Sequence, residues 1–135
     1  MRFVDTSILI YAVSGAPEDA DKSARAQELL TARDLALSVQ VLQEFCVQAT
    51  RTDRAGALTH LEAVSFATSL HRYPVQDVTL ALMQSALGIC QRFQLSYWDS
   101  AILAAARELG CQTVLSEDLS QDQDYDGLRV RNPFH

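Results

Sequence analysis

The sequence predicts an α/β domain with three layers, in which helices cover both faces of a short, mostly parallel sheet. Three short apolar segments have the length expected of buried strands, at residues 1–4, 35–38 and 113–115. Longer segments between them carry apolar residues at helical spacing, and strands that alternate with helices favour parallel pairing. The chain has 135 residues, 48% of them hydrophobic, so we expect one domain over residues 1–135.

The first predicted strand ends at Asp5, and a helix is predicted at residues 7–13. An acid at this junction lies outside the carboxyl end of a strand, at the edge of a parallel sheet where ligands bind. A loop with Gly and Pro follows at residues 14–18, and a second helix is predicted to end near Leu30. Asp5 is therefore the first candidate functional residue.

The second predicted strand, residues 35–38, leads into a third helix at residues 39–51. The apolar face of this helix is centred near Leu42 and Ala49 at 100° per residue. Glu44 therefore lies on the polar side of the helix, where it faces solvent or a groove.

A fourth helix follows the third with no strand between them. We predict it at residues 54–71, with Asp53 as its N-cap and with Leu61 and either Val64 or Phe66 in its buried stripe. Two successive helices are an insertion in a regular alternation of strands and helices. The domain is therefore predicted to carry an inserted helical pair.

The segment after this pair is short and contains Pro74, which is tolerated only in an edge strand or a turn. Asp77 is the predicted cap of a fifth helix at residues 78–93. The apolar set of that helix includes Leu80 and Met83, which we expect to be buried.

A sixth helix is predicted at residues 97–109, because Ser96 and Asp99 resemble a capping box and Gly110 is a common helix terminator. Its apolar stripe includes Trp98. Asp99 lies on the flank of that stripe, so we expect its side chain to be partly buried and to face inward.

The third buried strand, residues 113–115, stops at a polar turn formed by residues 116–118. Asp122 and Asp124 are interpreted as solvated loop residues, since runs of acids are usually solvated. Residues 128–131 alternate between apolar and charged and are predicted to form an edge strand.

The charge balance bears on the class of partner. Asp and Glu number 17 against 11 Lys and Arg, a formal net charge of -6, which argues against binding nucleic acid through bulk positive charge. Binding through bound cations remains open. We identify no signal peptide and no membrane span, and the three cysteines have no CxxC spacing, so reduced thiols in a cytoplasmic protein are expected.

Four acids stand out by position. Asp5 and Asp118 both follow predicted parallel strands, so they should meet at the same sheet edge. Asp99 faces inward from its helix, and Glu44 is a fourth candidate. Each also has a structural explanation: Asp5 as a cap, Asp118 as a turn residue or cap, Asp99 as an acid that favours the helix dipole, and Glu44 as a solvated residue. Spacing alone does not decide between these explanations.

The motifs FVDTSILIY, QEF, YWDSAI and VLSEDL, in this order, resemble the PIN domain family and, more narrowly, the VapC-type toxins of bacterial toxin–antitoxin pairs. The resemblance covers essentially the whole chain and implies a PIN-like fold. It also implies that Asp5, Glu44, Asp99 and Asp118 ring a Mg²⁺ or Mn²⁺ site that cleaves RNA. Asp5 and Asp99 would be the principal ligands, and Mg²⁺ suits such a loose acidic site because it retains several waters.

The resemblance implies further roles close to this site. The hydroxyl of Thr6, with that of Ser116 by analogy, would support the acids without binding the metal. Family members often have Thr where Ser116 stands, and Glu117 beside Asp118 is the alternative fourth acid. Asp118 fits the motif better, because it lies two residues after the hydroxyl.

Partners are also implied by the resemblance. We expect an RNA substrate, a small antitoxin that covers the groove and delivers a basic side chain to the acids, and a homodimer through the apolar faces of the helices in residues 54–93. Lys22, Arg51 and Arg54 are candidates for phosphate contacts, with ordinary surface charge as their alternative role.

Two other functions stay open. A phosphatase of the haloacid dehalogenase type also begins with a strand and an Asp, but it requires a second Asp two residues later, where this chain has Ser7. A non-catalytic PIN-like module would only bind RNA or a partner. No His lies near any motif, so a metal-free ribonuclease mechanism based on histidine is not supported.

Overall fold

The computed structural model describes residues 1–120 and 123–135. Its elements, in chain order, are β1 (Arg2–Val4), α1 (Thr6–Ala12), α2 (Ala20–Leu29), β2 (Leu35–Ser38), α3 (Val39–Ala49), α4 (His60–Ser69), β3 (Val75–Gln76), α5 (Leu80–Phe93), α6 (Tyr97–Glu108), β4 (Thr113–Leu115), β5 (Asp124–Tyr125) and β6 (Leu128–Arg131). Short 3₁₀ turns lie at Pro17–Asp19 and Leu70–Arg72.

The strands form one mostly parallel sheet in the order β3-β2-β1-β4-β6-β5. The described strands pair in parallel except β5, which pairs antiparallel with β6. Strand β1 lies inside the sheet with Phe3 opposite Ala36 on one side and Val114 on the other. This architecture confirms the predicted α/β class, and the end of β1 falls in the middle of the carboxyl edge of the sheet.

The helices form two packed groups, one of α1 to α4 and the other of α5 with α6. This grouping is expected when helices cover the two faces of a sheet. The core between them includes the fully buried side chains of Phe3, Ile8, Phe45, Leu103 and Val114. All four residues of β2 are buried, as the continuous apolar run predicts for an inner parallel strand.

The predicted start of α4 is wrong. Thr59, rather than Asp53, caps the helix: its hydroxyl accepts a hydrogen bond from the Glu62 N–H (3.1 Å) and its own N–H donates to Glu62 Oε1 (2.9 Å). This capping box satisfies two backbone donors at once, which a lone Asp does not. Helix α5 likewise begins two residues after the predicted start, with Thr79 rather than Asp77 as its cap.

The predicted buried stripes of α4 and α5 are also partly wrong. Leu61 and Val64 are 78% and 42% exposed, and α4 instead buries its alanines. Leu80 and Met83 of α5 are exposed as well. The buried residues are Ala63 and Ala67 in α4 and Ala86 and Ile89 in α5, so several of the larger apolar side chains of these helices face outward.

The prediction of an edge strand at residues 128–131 needs correction. β6 has this span, but it lies between β4 and β5, and β5 is at the edge. Asp124 belongs to β5 rather than to a loop, and Asp122 lies outside the described residues. At the opposite edge, β3 follows Pro74, whose carbonyl accepts a hydrogen bond from the Leu37 N–H (3.0 Å), as expected for an edge proline.

The structure also describes the cysteines and the length of the helices. The three cysteines are free thiols. Among the described residues, no helix has both the length and the apolar character needed to cross a membrane.

Candidate active site at the carboxyl edge of the sheet

Asp5 lies where the central strand β1 passes into α1. Its N–H donates to the Leu115 carbonyl (3.0 Å), so the ends of β1 and β4 are side by side. Its carboxylate caps α1, because Oδ1 accepts a hydrogen bond from the Thr6 N–H (2.7 Å). Asp5 is therefore both the predicted cap and an acid at the sheet edge, and it is only 8% exposed.

Ser116 joins the two strand ends. Its hydroxyl donates to Asp5 Oδ2 (2.6 Å) and accepts hydrogen bonds from the N–H groups of Asp118 (3.1 Å) and Leu119 (3.3 Å). One fully buried side chain thus fixes the orientation of the Asp5 carboxylate and the course of the loop that carries Asp118.

Asp5 faces an open cavity of about 240 Å³ that is lined by carboxylates from four parts of the chain. The lining residues are Asp5, Thr6, Ser7, Ile10, Tyr11, Gln40, Glu44, Gln48, Trp98, Asp99, Ile102, Glu117 and Asp118. Five of them are acids, and within the described part of the chain no Lys or Arg lines the cavity. We call this space the acid cavity.

Glu44 and Asp99 reach the acid cavity from two different helices. The Gln40 side-chain amide donates to Glu44 Oε1 (2.8 Å) and to the carbonyl of Trp98 (3.2 Å). This amide therefore ties α3 to the first turn of α6. Asp99 is held in that turn by its N–H, which donates to the Ser96 hydroxyl (3.1 Å), as the predicted start of α6 requires.

The environment of the acid cavity disfavours the ionised form of two of its carboxylates, Asp5 and Asp118. Burial, together with the charges of Asp118 and Glu44, raises the pKa of Asp5 to about 6, although the hydrogen bonds from Ser116 and Thr6 lower it. The pKa of Asp118 is also raised, by burial and then by the charges of Glu117 and Asp99. The cavity concentrates negative charge that a cation would compensate.

Glu117 differs from the other acids of the cavity. Its carboxylate accepts hydrogen bonds from the Tyr11 hydroxyl (2.6 Å) and from Lys22 Nζ (2.5 Å). Burial alone would raise the pKa of Glu117, but these hydrogen bonds and the Lys22 charge outweigh it, so the pKa is lowered. Glu117 therefore pairs with a cation, whereas no described Lys or Arg pairs with Asp118.

Comparison with known proteins places this chain in a family. The family model of the PIN domain matches residues 2–124, which is most of the chain. The chain belongs to the PIN domain family. No curated protein matches the sequence significantly.

Solved structures share this PIN fold at low sequence identity. VapC20 of Mycobacterium tuberculosis, described as a toxin that cleaves the sarcin-ricin loop, is 23% identical over 87% of this chain and 92% of its own, with a TM-score of 0.67. A toxin–antitoxin complex from Klebsiella pneumoniae is 18% identical over 98% of both chains, with a TM-score of 0.72. DNA-bound VapBC from Salmonella typhimurium is 18% identical over 98% and 97%, with a TM-score of 0.67. At these identities the likeness establishes the fold.

The PIN fold brings the four predicted acids of this chain to one place. Asp5, Glu44, Asp99 and Asp118 all line the acid cavity, although they are separated in sequence by up to 113 residues (118 minus 5). Their catalytic and ligand roles stay predictions, as does the supporting role of Thr6.

The three predicted phosphate contacts are engaged elsewhere. Lys22 pairs with Glu117. Arg51 lies 3.7 Å from the exposed carboxylate of Asp53, and Arg54 donates to the Ile10 carbonyl (3.3 Å). Contacts between these three residues and RNA remain a prediction, and each side chain has a partner within the protein.

The residues of the acid cavity fit a hard divalent cation. The side-chain donors facing it are oxygens and carboxamides, and the Thr6 hydroxyl is buried without a hydrogen-bond partner in the described structure. Among the described residues, no three Asp, Glu, His or Cys side chains converge as a ready-made metal cluster. An ion would therefore bind one or two carboxylates directly and keep several waters, which is the preference of Mg²⁺.

Sequence reasoning did not assign functions to several residues that line the cavity. Gln40 and Gln48 flank Glu44 at intervals of four residues, so their place on the same helix face was visible in the sequence. Tyr11 belongs to the first motif, but its hydrogen bond to Glu117 depends on a contact across 106 residues. Ser7, where the phosphatase alternative requires an acid, accepts a hydrogen bond from the Glu117 N–H (3.4 Å).

Proposed function

We propose that this PIN domain is a metal-dependent endoribonuclease that hydrolyses RNA phosphodiester bonds, and that it acts as the toxin of a type II toxin–antitoxin pair. The observation that carries the proposal is the acid cavity itself. Five carboxylates line it, only that of Glu117 has a Lys or Arg partner among the described residues, and the central acid has a raised pKa. Such a site is electrostatically incomplete without a cation.

In this proposal Asp5 and Asp99 hold a Mg²⁺ or Mn²⁺ ion, and Glu44 and Asp118 act through its waters. The bound ion would lower the pKa of a water molecule and offset the charge that develops on the leaving oxygen. The chain contributes a fixed arrangement of oxygens. Ser116 and the Thr6 N–H each occupy one oxygen of Asp5, and Gln40 occupies Oε1 of Glu44.

Glu44 is suited to orient the attacking water. Because Gln40 donates to Oε1, the second oxygen of Glu44 can accept a proton from a water in the cavity. The same amide also bonds to the backbone of α6, so the positions of Glu44 and Asp99 are coupled through one side chain.

The partners of the proposed toxin follow from the same features. Structures of similar fold are described as toxin–antitoxin complexes. A small antitoxin that delivers a basic side chain would supply the charge that the acid cavity lacks. The proposed homodimer surface consists of the exposed apolar side chains of α4 and α5, among them Leu61, Val64 and Leu80. The proposed location of the protein is the cytoplasm.

The proposal is tested by incubating the purified chain with cellular RNA in Mg²⁺, Mn²⁺ or EDTA and sequencing the cleaved ends. We expect cleavage only with a divalent ion. Asp5→Asn and Asp99→Asn should each abolish it while far-UV circular dichroism shows a folded protein. Asp53→Asn is the matched control, because Asp53 is an exposed acid outside the cavity.

Either of two results would contradict the proposal. One is wild-type cleavage by Asp5→Asn or Asp99→Asn. The other is a folded wild-type protein that binds RNA but does not cut it in any divalent ion, which would indicate the non-catalytic alternative. Release of phosphate from small phosphoesters without RNA cleavage would instead revive the phosphatase alternative.

A further inference from the structure

We propose that Trp98 is the stacking surface for an unpaired base of the RNA next to the bond that is cut. The inference rests on the proposed ribonuclease function and adds a substrate-binding residue that the acids do not provide. It predicts that single-stranded RNA, rather than a paired duplex, enters the site.

The fold does not need the Trp98 side chain in its core. Trp98 was predicted to belong to the apolar stripe of α6, but it is 66% exposed, so that prediction is wrong. The buried residues of α6 are instead the consecutive residues 100–106, so the helix is buried on all sides over this segment beyond its first turn. A large exposed aromatic side chain in the first turn, directly before Asp99, contributes little to stability and is typical of a binding surface.

Trp98 lies where three open spaces meet. It lines the acid cavity, a second cavity of about 350 Å³ along α3, and a third of about 560 Å³ between α3, α5 and α6. Gln40 is the other residue shared by all three. An RNA strand with one phosphate in the acid cavity would therefore place its neighbouring nucleotide beside the indole ring.

Two contacts position Trp98, one with its ring and one with its backbone carbonyl. The Tyr97 ring contacts it edge to face, with ring centres 4.9 Å apart and an interplanar angle of 82°. The Trp98 carbonyl accepts the hydrogen bond from Gln40. A ring that is already positioned loses less conformational freedom when a base stacks on it.

The charge of the chain explains why stacking is needed. Affinity for nucleic acid usually comes from Lys and Arg on phosphates, but the net charge is -6 and the described residues place no Lys or Arg on the acid cavity. Stacking on an aromatic ring supplies affinity that does not depend on positive charge. The side-chain amides of Gln43 and Gln48 line the adjoining wall and can hydrogen-bond base edges, which favours a nucleobase over an apolar protein segment.

The sequence allows a direct test, because Trp98 is the only tryptophan in the chain. Its intrinsic fluorescence in the Asp5→Asn variant, which should bind RNA without cutting it, is measured during titration with a single-stranded oligoribonucleotide of mixed sequence. We expect saturable quenching by the single strand and much weaker quenching by a duplex of the same sequence. Absence of quenching while labelled RNA binds by anisotropy would overturn the inference.

Substitutions separate stacking from simple hydrophobic contact. In the otherwise wild-type chain, Trp98→Phe should keep most of the activity, whereas Trp98→Leu should raise KM for RNA about tenfold with little change in kcat, because leucine retains apolar bulk but has no ring face. If Trp98→Leu cleaves with the wild-type KM, the indole does not bind RNA and the inference is wrong. If the wild-type chain does not cleave RNA, the proposed ribonuclease function is wrong. If the wild type cleaves RNA and Trp98→Leu has the same KM, only the inference about Trp98 is wrong.

Discussion

The acid cavity adjoins a cluster around Lys22, and the neighbouring acids Glu117 and Asp118 differ in their environment there. In the Lys22 cluster, formed by Tyr11, Lys22, Glu117 and Phe134, the ammonium group pairs with Glu117 and lies over both aromatic rings. One residue later, Asp118 faces a cavity of acids. The pKa of Glu117 is lowered and that of Asp118 is raised.

The difference separates an acid whose charge is compensated within the fold from acids whose charge is not. Glu117 has a cation and a hydroxyl donor within the fold, so its charge is compensated in the protein alone. The other four acids of the cavity pair with no Lys or Arg among the described residues, and burying uncompensated charge destabilises the folded state. Such an arrangement is expected where a ligand supplies the missing charge.

The largest expected effect separates the two neighbouring acids by activity. Asp118→Asn should reduce RNA cleavage by about a hundredfold or more, because it removes a cavity carboxylate that would orient the waters of the proposed metal ion. Glu117→Gln should reduce cleavage less than about tenfold, since its carboxylate is occupied by Lys22 and Tyr11. Initial rates on one RNA at fixed Mn²⁺ measure both. The reverse order of effects would make Glu117 the fourth acid.

A smaller effect concerns stability without metal. The folded-state pKa of Asp5 is about 6, above its ordinary value of 3.8, so its contribution is stabilising at low pH and is lost as the pH rises from about 4 through 6. The neutral amide in Asp5→Asn can still cap α1. We therefore expect this variant to melt several degrees above the wild type in EDTA at pH 7.5.

The control for this stability experiment is the same comparison at pH 4.5, where the Asp5 carboxyl is mostly protonated in the folded protein and the gain should largely disappear. Differential scanning fluorimetry at both pH values is sufficient. An Asp5→Asn variant that is less stable than the wild type at pH 7.5 would show that the charge of Asp5 is compensated within the protein.

Local sequence signals were sufficient for much of the fold. The spans of β2, β4 and β6 follow from short apolar or alternating runs between polar turns, and Ser96 marked the start of α6. The start of α4 was missed because two capping signals compete, and the reciprocal bonds of Thr59 and Glu62 prevail over the single acid at Asp53.

The candidate site was predictable in its members but not in its contacts. Acids after parallel strands must share an edge, which brought Asp5 and Asp118 together from sequence alone. The choice between Glu117 and Asp118 depends on Lys22, which is 95 residues from Glu117. Trp98 is exposed because it lies in the first turn of α6, before the segment 100–106 that is buried on all sides, and a hydrophobic pattern does not show how deeply each part of a helix is buried.

The central claim is that the acid cavity is completed by a divalent cation, and calorimetric titration with Mn²⁺ tests it most directly. We expect the wild-type chain to bind Mn²⁺ at the cavity, Glu117→Gln to bind it with nearly the same affinity, and Asp5→Asn to bind it at least about tenfold more weakly. Failure of the wild type to bind Mn²⁺, or equal binding by Asp5→Asn, would contradict the claim.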